Sequence, residues 1–374
     1  MKKLIKWLLG LVLILAVVVI LVVVLLPVIF DPNEHKSEIQ TAASNQVGRE
    51  IQLNGPIEWS VFPWVAINLN DVVVGNEKGF KGSALAEVEQ VSVRVKLLPL
   101  LSKQIQIGKV ELVKPVINLQ IAQSGLTNWQ SMLSHSESSG EQDNNQATDL
   151  EIKGIVISQG RVNYTDAATN IQLEMIDVSF MSDAIQSGVA TEMSLKTVLN
   201  LPAQELKSKL DSTWTVKNLT TGSGPQFNFT SFDIDGQIGL VPLKLSSQGQ
   251  MNIDLAKDTL DIERLIMDYS VARMTTPVKG TGLAENISLS GNLAFNEFSL
   301  ADLLADVGTS FDNQANNTFA GSSDWSLVGD RLQLNQMNFS LDESKISGSV
   351  DIKQLSQLKG QFNIDINQMN ADEY

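Results

Sequence analysis

The chain has 374 residues with 27 basic and 42 acidic side chains, a formal net charge of −15. A surface this acidic is repelled by phosphate backbones, and no basic cluster stands against it, so nucleic acid is not expected as a partner. The absence of cysteine excludes disulfides, thiolate catalysis and cysteine-based zinc sites.

Residues 7–30 carry no charged side chain and follow Lys2, Lys3 and Lys6. At about 1.5 Å per helical residue the run reaches roughly 36 Å, enough to cross a hydrocarbon core of about 30 Å. Lysines on one flank and Asp31 and Glu34 on the other place the N-terminus in the cytoplasm and the remainder outside it. A cleavable signal peptide is the competing reading, with an apolar region of about 7–15 residues and a small-residue cleavage site. This run is longer and closes on Leu25-Leu26-Pro27-Val28-Ile29-Phe30. The spacing predicts a retained transmembrane helix over 1–30, a single-pass inner-membrane anchor with the bulk of the chain in the periplasm of a bacterium. Roughly 340 residues then remain, more than one ordinary hydrophobic core.

Asp31-Pro32 reads as an N-cap with proline at the first helical position, and Gly48 supplies the stop, so a short helix is expected over 33–47. From Glu50 the hydrophobic period changes to two. Ile51, Leu53 and Ile57 alternate with polar residues, as do Val65, Ile67 and Leu69, then Val72 and Val74, then Val91, Val93 and Val95. Ile105, Ile107, Val110, Leu112 and 116–121 extend the habit, which predicts half-buried antiparallel strands. Residues 97–101 read as a short helix or connector. Residues 135–149 contain no large apolar side chain and read as a flexible loop.

Two internal echoes follow. Val110, Leu112, Ile117, Asn118 and Leu119 correspond at a shift of 45 to Ile155, Ile157, Val162, Asn163 and Tyr164. Leu260, Ile262, Leu265 and Met267 correspond at a shift of 72 to Leu332, Leu334, Met337 and Phe339. Strands of period two resemble one another at any even offset, but together the echoes favour a repeated strand-turn-strand unit stacked into one sheet. Residues 202–209 read as a helical turn or a loop between hairpins. Ser299, leucines at helical spacing and Gly308 predict a helix over 300–307.

The expected fold is therefore mostly β: a transmembrane helix, then a long curved antiparallel sheet with a few short helices. Its organisation reads as the anchor (1–30), a sheet unit (31–133), a flexible loop (134–149) and a β-rich repeat region (150–374).

The stretch Phe30-Asp31-Pro32, a short helix, Gly48-Arg49-Glu50-Ile51, Gly55-Pro56-Ile57-Glu58-Trp59-Ser60-Val61-Phe62-Pro63-Trp64, Asn70-Asp71-Val72 and Gly79-Phe80 resembles the AsmA family of bacterial inner-membrane proteins. Thr127-Asn128-Trp129 after Gly125, and Gly160-Arg161-Val162-Asn163-Tyr164-Thr165-Asp166, resemble that family's recurrent elements. The resemblance implies an envelope protein of outer-membrane biogenesis, similar in its N-terminal part to bridge-like lipid-transfer proteins whose sheet forms an apolar groove. Residues 370–374 resemble an element that family members carry in mid-chain, so a truncated member or a fragment is expected.

The search for chemistry is empty. His35 and His135 sit in polar surroundings, no H-E-x-x-H, G-x-S-x-G or phosphate-binding loop occurs, and no enzyme activity, metal or cofactor is expected. The candidate lipid-groove lining is Val91, Val93, Val95, Val110, Leu112, Ile155 and Ile157. Trp59, Phe62 and Trp64 form a candidate aromatic cluster, read either as a lipid contact or, in preference, as a core anchor. Expected partners are the membrane and phospholipid acyl chains. The alternative is an anchored chaperone or regulator that holds outer-membrane protein precursors through a sheet edge.

Overall fold

The computed structural model describes residues 31–60, 65–82, 84–95, 106–131, 151–186, 188–218, 224–283, 286–306, 308–309, 317–357 and 359–367. The expected anchor, the 97–101 connector and the 134–149 loop lie outside the described residues. No helix among the described residues is long and apolar enough to cross a membrane. The chain divides into two units, Met1–Gln172 and Leu173–Tyr374.

The first unit opens with a 3-10 turn, Pro32–His35, that runs into helix α1, Lys36–Val47. Asp31 caps the 3-10 turn, its carboxylate accepting from the Asn33 N–H at 2.9 Å, and Gly48 ends the α-helix at φ 73°. Seven strands follow: β1 (Ile51–Leu53), β2 (Ile57–Ser60), β3 (Val65–Gly75), β4 (Ala84–Val95), β5 (Gln106–Ile121), β6 (Glu151–Ile152) and β7 (Ile155–Asp166). Helix α1 is tied to β1 because Gln40 and Ser44 accept the N–H groups of Leu53 and Ile51 at 3.0 and 2.8 Å. Ile39 of the same helix packs on a small core of Leu53, Ile57 and Val72.

β1 and β2 both pair antiparallel with β3, which pairs with β4, and β4 with β5. The strands are mostly antiparallel, as expected, with an exception among the described pairings at β5, where β6 and β7 both join in parallel. Periodicity reports which face a side chain occupies and is blind to strand direction. A parallel neighbour needs a crossover of about a dozen residues or more, which the 122–150 segment supplies. The boundary between the units therefore lies beyond that loop, at Gln172 and Leu173.

The second unit carries β8 (Ile171–Ser182), which starts at the boundary, then β9 (Thr191–Leu201), β10 (Leu206–Lys217), β11 (Gln226–Ile238), β12 (Val241–Asp254) and β13 (Thr259–Tyr269). It continues with β14 (Ala272–Thr281), β15 (Ser288–Ser299), β16 (Thr318–Val328), β17 (Arg331–Leu341), β18 (Ser344–Gln354) and β19 (Lys359–Ile366). Each of these strands pairs antiparallel with the next in sequence, giving a meander. Pro202–Gln204 is a single 3-10 turn between β9 and β10. Helix α2, Leu300–Asp306, lies between β15 and β16; the Ser299 hydroxyl accepts the Asp302 N–H at 3.1 Å, and Gly308 follows at φ 83°.

Candidate functional site: apolar sheet faces

In the first unit, successive cross-strand pairs set Val93 opposite Val110 and Val110 beside Ile155, with Val91, Leu112 and Ile157 forming the adjacent row. Six of the seven groove-lining candidates therefore share one face of three neighbouring strands, and all six are half-buried. Val95 pairs with Val65 and Ile107, its side chain lying outside the described set. Trp59 sits in β2 opposite Ile67 and is half-buried, whereas Phe62 and Trp64 fall outside the described residues.

That face persists along each strand only because each strand takes an extra step. In β3 the apolar positions change from Leu69 to Val72, in β4 from Val88 to Val91, in β5 from Leu112 to Pro115, and in β7 from Ile157 to Gly160. Asp71, Lys114 and Gln159 adopt left-handed φ of 51°, 48° and 54° at these steps. Strict alternation would turn the second half of every strand polar side inward; the extra residue resets it and bends the strand locally. The 45-residue echo now has a physical origin. Its two copies are β5 and β7, adjacent and in register, with Asn163 donating to Asn118 at 2.8 Å.

The second unit repeats this design. On one face of β10 to β13, Trp214 lies opposite Phe229, Phe229 opposite Met251, and Met251 opposite Ile262. The other face carries exposed pairs such as Lys196–Asp211 and Lys244–Asp235. Exposed pairs of this kind are worth about 0–1 kcal/mol each and serve mainly solubility. Aromatic rings gather on the apolar face in two groups. Phe180, Trp214, Phe229 and Phe232 follow one another at centroid distances of 6.3, 5.7 and 6.3 Å. Phe295, Phe298, Phe319 and Phe339 meet at 5.3–6.3 Å. The 72-residue echo also falls on this face: Ile262 with Val278, and Met337 with Val350, anchor two separate small clusters.

Burial is shallow along most of these rows, with Val216, Phe298 and Phe339 among the few well-buried members of the second unit. Among the described residues, the largest completely buried side chains are Val216, Asn128, Thr191 and Ser323, so no aromatic ring is enclosed on all sides. A sheet closed over a dry core would enclose its largest apolar groups. Among the same residues no group of three or more His, Cys, Asp or Glu side chains is placed to hold a metal ion. His35 engages Glu38 at 3.0 Å on the surface.

One polar junction escaped the sequence reading. Arg49, buried just after α1, donates to the Asn128 carbonyl at 3.0 Å and pairs with Glu77 at 2.5 Å. Asn128 donates to Asn76 Oδ1 and Asn118 O at 2.9 and 2.8 Å and accepts the Gln120 N–H at 2.9 Å. The hydroxyl of Ser131, followed by the Arg49 charge, holds Glu77 below the usual carboxylate range. Arg49 and Asn128 each sit in a short element quoted above, but nothing in the sequence signals that these elements meet. In the third such element, Asp166 caps the turn after β7 by accepting the Ala168 and Thr169 N–H groups at 2.8 and 3.2 Å.

The family match runs over residues 1–373, essentially the whole chain. The chain belongs to the AsmA family. That family is associated with biogenesis of the cell envelope and its outer membrane. No curated protein and no solved structure matches the chain. In this AsmA-family chain, the recurrent elements noted in the sequence are scaffold: a helix stop, a buried junction and a turn cap around the apolar face.

Proposed function

We propose that this AsmA-family protein is a non-enzymatic, inner-membrane-anchored periplasmic protein that shelters lipid acyl chains on its apolar sheet faces during outer-membrane assembly. The observation that carries the reading is the shallow burial: rows of valine, isoleucine, leucine and phenylalanine on each unit's face, with no large side chain among the described residues fully enclosed. Leaving such faces in water forfeits about 25 cal/mol for every Å² of apolar area, a cost that acyl chains would remove. The uncharged 7–30 run and its flanking lysines support the anchor and its orientation.

The decisive experiment places a photo-crosslinking residue at Val93 or Ile157 in cells. Capture of phospholipid is expected. Capture of neighbouring protein segments alone would replace the lipid reading with the chaperone or scaffold alternative. A reporter active only in the cytoplasm, fused after Tyr374, should be silent.

A further inference from the structure

The apolar faces of the two units differ in chemistry. Six of the seven methionines described in the second unit stand on its apolar face, and the described residues of the first unit include none. Met193 lies opposite Trp214, Met251 opposite Phe229, and Met337 in the cluster of Phe339 and Val350. Met267 and Met274 are direct cross-strand partners, in a row that runs from Leu245 through both of them to Phe295. Met181 is the exception. It alternates with Phe180 and Ser182, so it stands on the polar face, 54% exposed.

Leucine fills nearly the same volume as methionine but offers no atom for an oxidant to attack. A thioether does. Peroxide transfers one oxygen to the sulfur: the O–O bond breaks, an S–O bond forms, and the peroxide leaves as water. The sulfoxide that results is polar where the side chain was apolar. The chain has no cysteine, so methionine is its only oxidisable sulfur. Met193, Met251 and Met337 are at most 9% exposed, which shields their sulfurs, whereas Met267 and Met274 are half-buried on an open face. We propose that Met267 and Met274 form a modification site, where a peroxide-class oxidant makes a pair of sulfoxides and the second unit's face then releases acyl chains. This rests on the lipid-sheltering reading above. Two S=O dipoles on facing residues interrupt the row, and an acyl chain laid across them would have to strip both of water. The aliphatic row of Val93, Val110 and Ile155 in the first unit has no sulfur and keeps its chains.

The test uses the full chain, freed of lipid by detergent exchange, with a photo-crosslinking residue at Leu245 in the second unit or at Val93 in the first. Each protein is treated with hydrogen peroxide, quenched with catalase, returned to vesicles of phosphatidylethanolamine and phosphatidylglycerol, and irradiated. Peptide mass spectrometry reads the sulfoxides. They are expected at Met267 and Met274 as well as at Met181, with phospholipid capture at Leu245 down by about threefold or more and capture at Val93 unchanged. Met267→Leu with Met274→Leu keeps the volume of both side chains and should preserve capture at Leu245 after peroxide. Met181→Leu should leave the loss in place. Full capture at Leu245 despite sulfoxide at both residues, thioethers left at Met267 and Met274 once Met181 is converted, or an equal loss in the double leucine variant would each overturn the proposal. Absence of lipid at both crosslinking sites before peroxide would overturn the lipid reading itself, and the proposal with it.

Discussion

Asn128 is completely buried, and its side-chain amide is used on both ends. Its two donors reach Asn76 and Asn118 while its oxygen takes the Gln120 N–H, so the turn after β3 and strand β5 are both held by one residue. Removing that amide leaves those half-buried partners without it, a cost of roughly 1–3 kcal/mol per group. Asn128→Ala is therefore expected to lower stability by about 2–4 kcal/mol, read as a shift in the urea midpoint, whereas truncating the exposed Gln123 should shift it by less than about 0.5 kcal/mol. Glu77 makes the same junction sensitive to acid. Its folded-state pKa lies below the ordinary value. The stabilisation is therefore present above the unfolded pKa of about 4.3 and lost as pH falls through the lower folded value. Glu77→Gln should be less stable than the native chain at neutral pH and show a shallower loss on acidification; an unchanged acid profile would remove Glu77 from the account. Sequence reading marked Asn128 by its setting, but its partner Arg49 stands 79 residues away, a separation at which no local pattern speaks.

At the scale of strands, the amount legible in the sequence follows from what side-chain period encodes. Both expected helices outside the anchor, residues 33–47 and 300–307, were visible because their caps are local: Asp31, Gly48, Ser299 and Gly308 each act within a few residues. The face occupied by Val91, Val93, Val110 and Leu112 was visible because alternation is local as well. Strand direction was not. The 45-residue echo was the only trace of the parallel β5–β7 pair, since in-register neighbours must match in both face and step. Steps themselves need backbone freedom where a strand crowds its neighbour. Gly321 in β16 has φ 139°, and an added Cβ would meet the Asn338 carbonyl oxygen of β17 at 2.3 Å. Gly329, in the turn before β17, has φ 57° and open space around it. Gly329→Ala is expected to cost about 1 kcal/mol from its left-handed backbone alone. Gly321→Ala adds a collision with neighbouring backbone and should cost about 3 kcal/mol or more. Equal midpoints for the two variants would show that β16 and β17 are not held this closely.

For the whole molecule, what matters is that each unit bears its own apolar face and its own polar face. An acidic chain with 43% hydrophobic residues and no fully enclosed aromatic ring among the described residues carries more apolar surface than its small cores absorb. If acyl chains cover that surface, the two units should contribute to lipid capacity separately. Val93 in the first unit and Leu245 in the second are half-buried members of their respective faces. A lysine at either site can extend its ammonium to water along its aliphatic stem, which limits the damage to folding while placing a charge where chains would lie. Val93→Lys and Leu245→Lys should each lower the phospholipid that co-purifies with the full chain, by about half if the faces contribute equally, with an unchanged β signature in circular dichroism. The double variant should lower it further. A scaffold with no lipid cargo would instead show the same background lipid in all three proteins, because a charge on an unoccupied face displaces nothing.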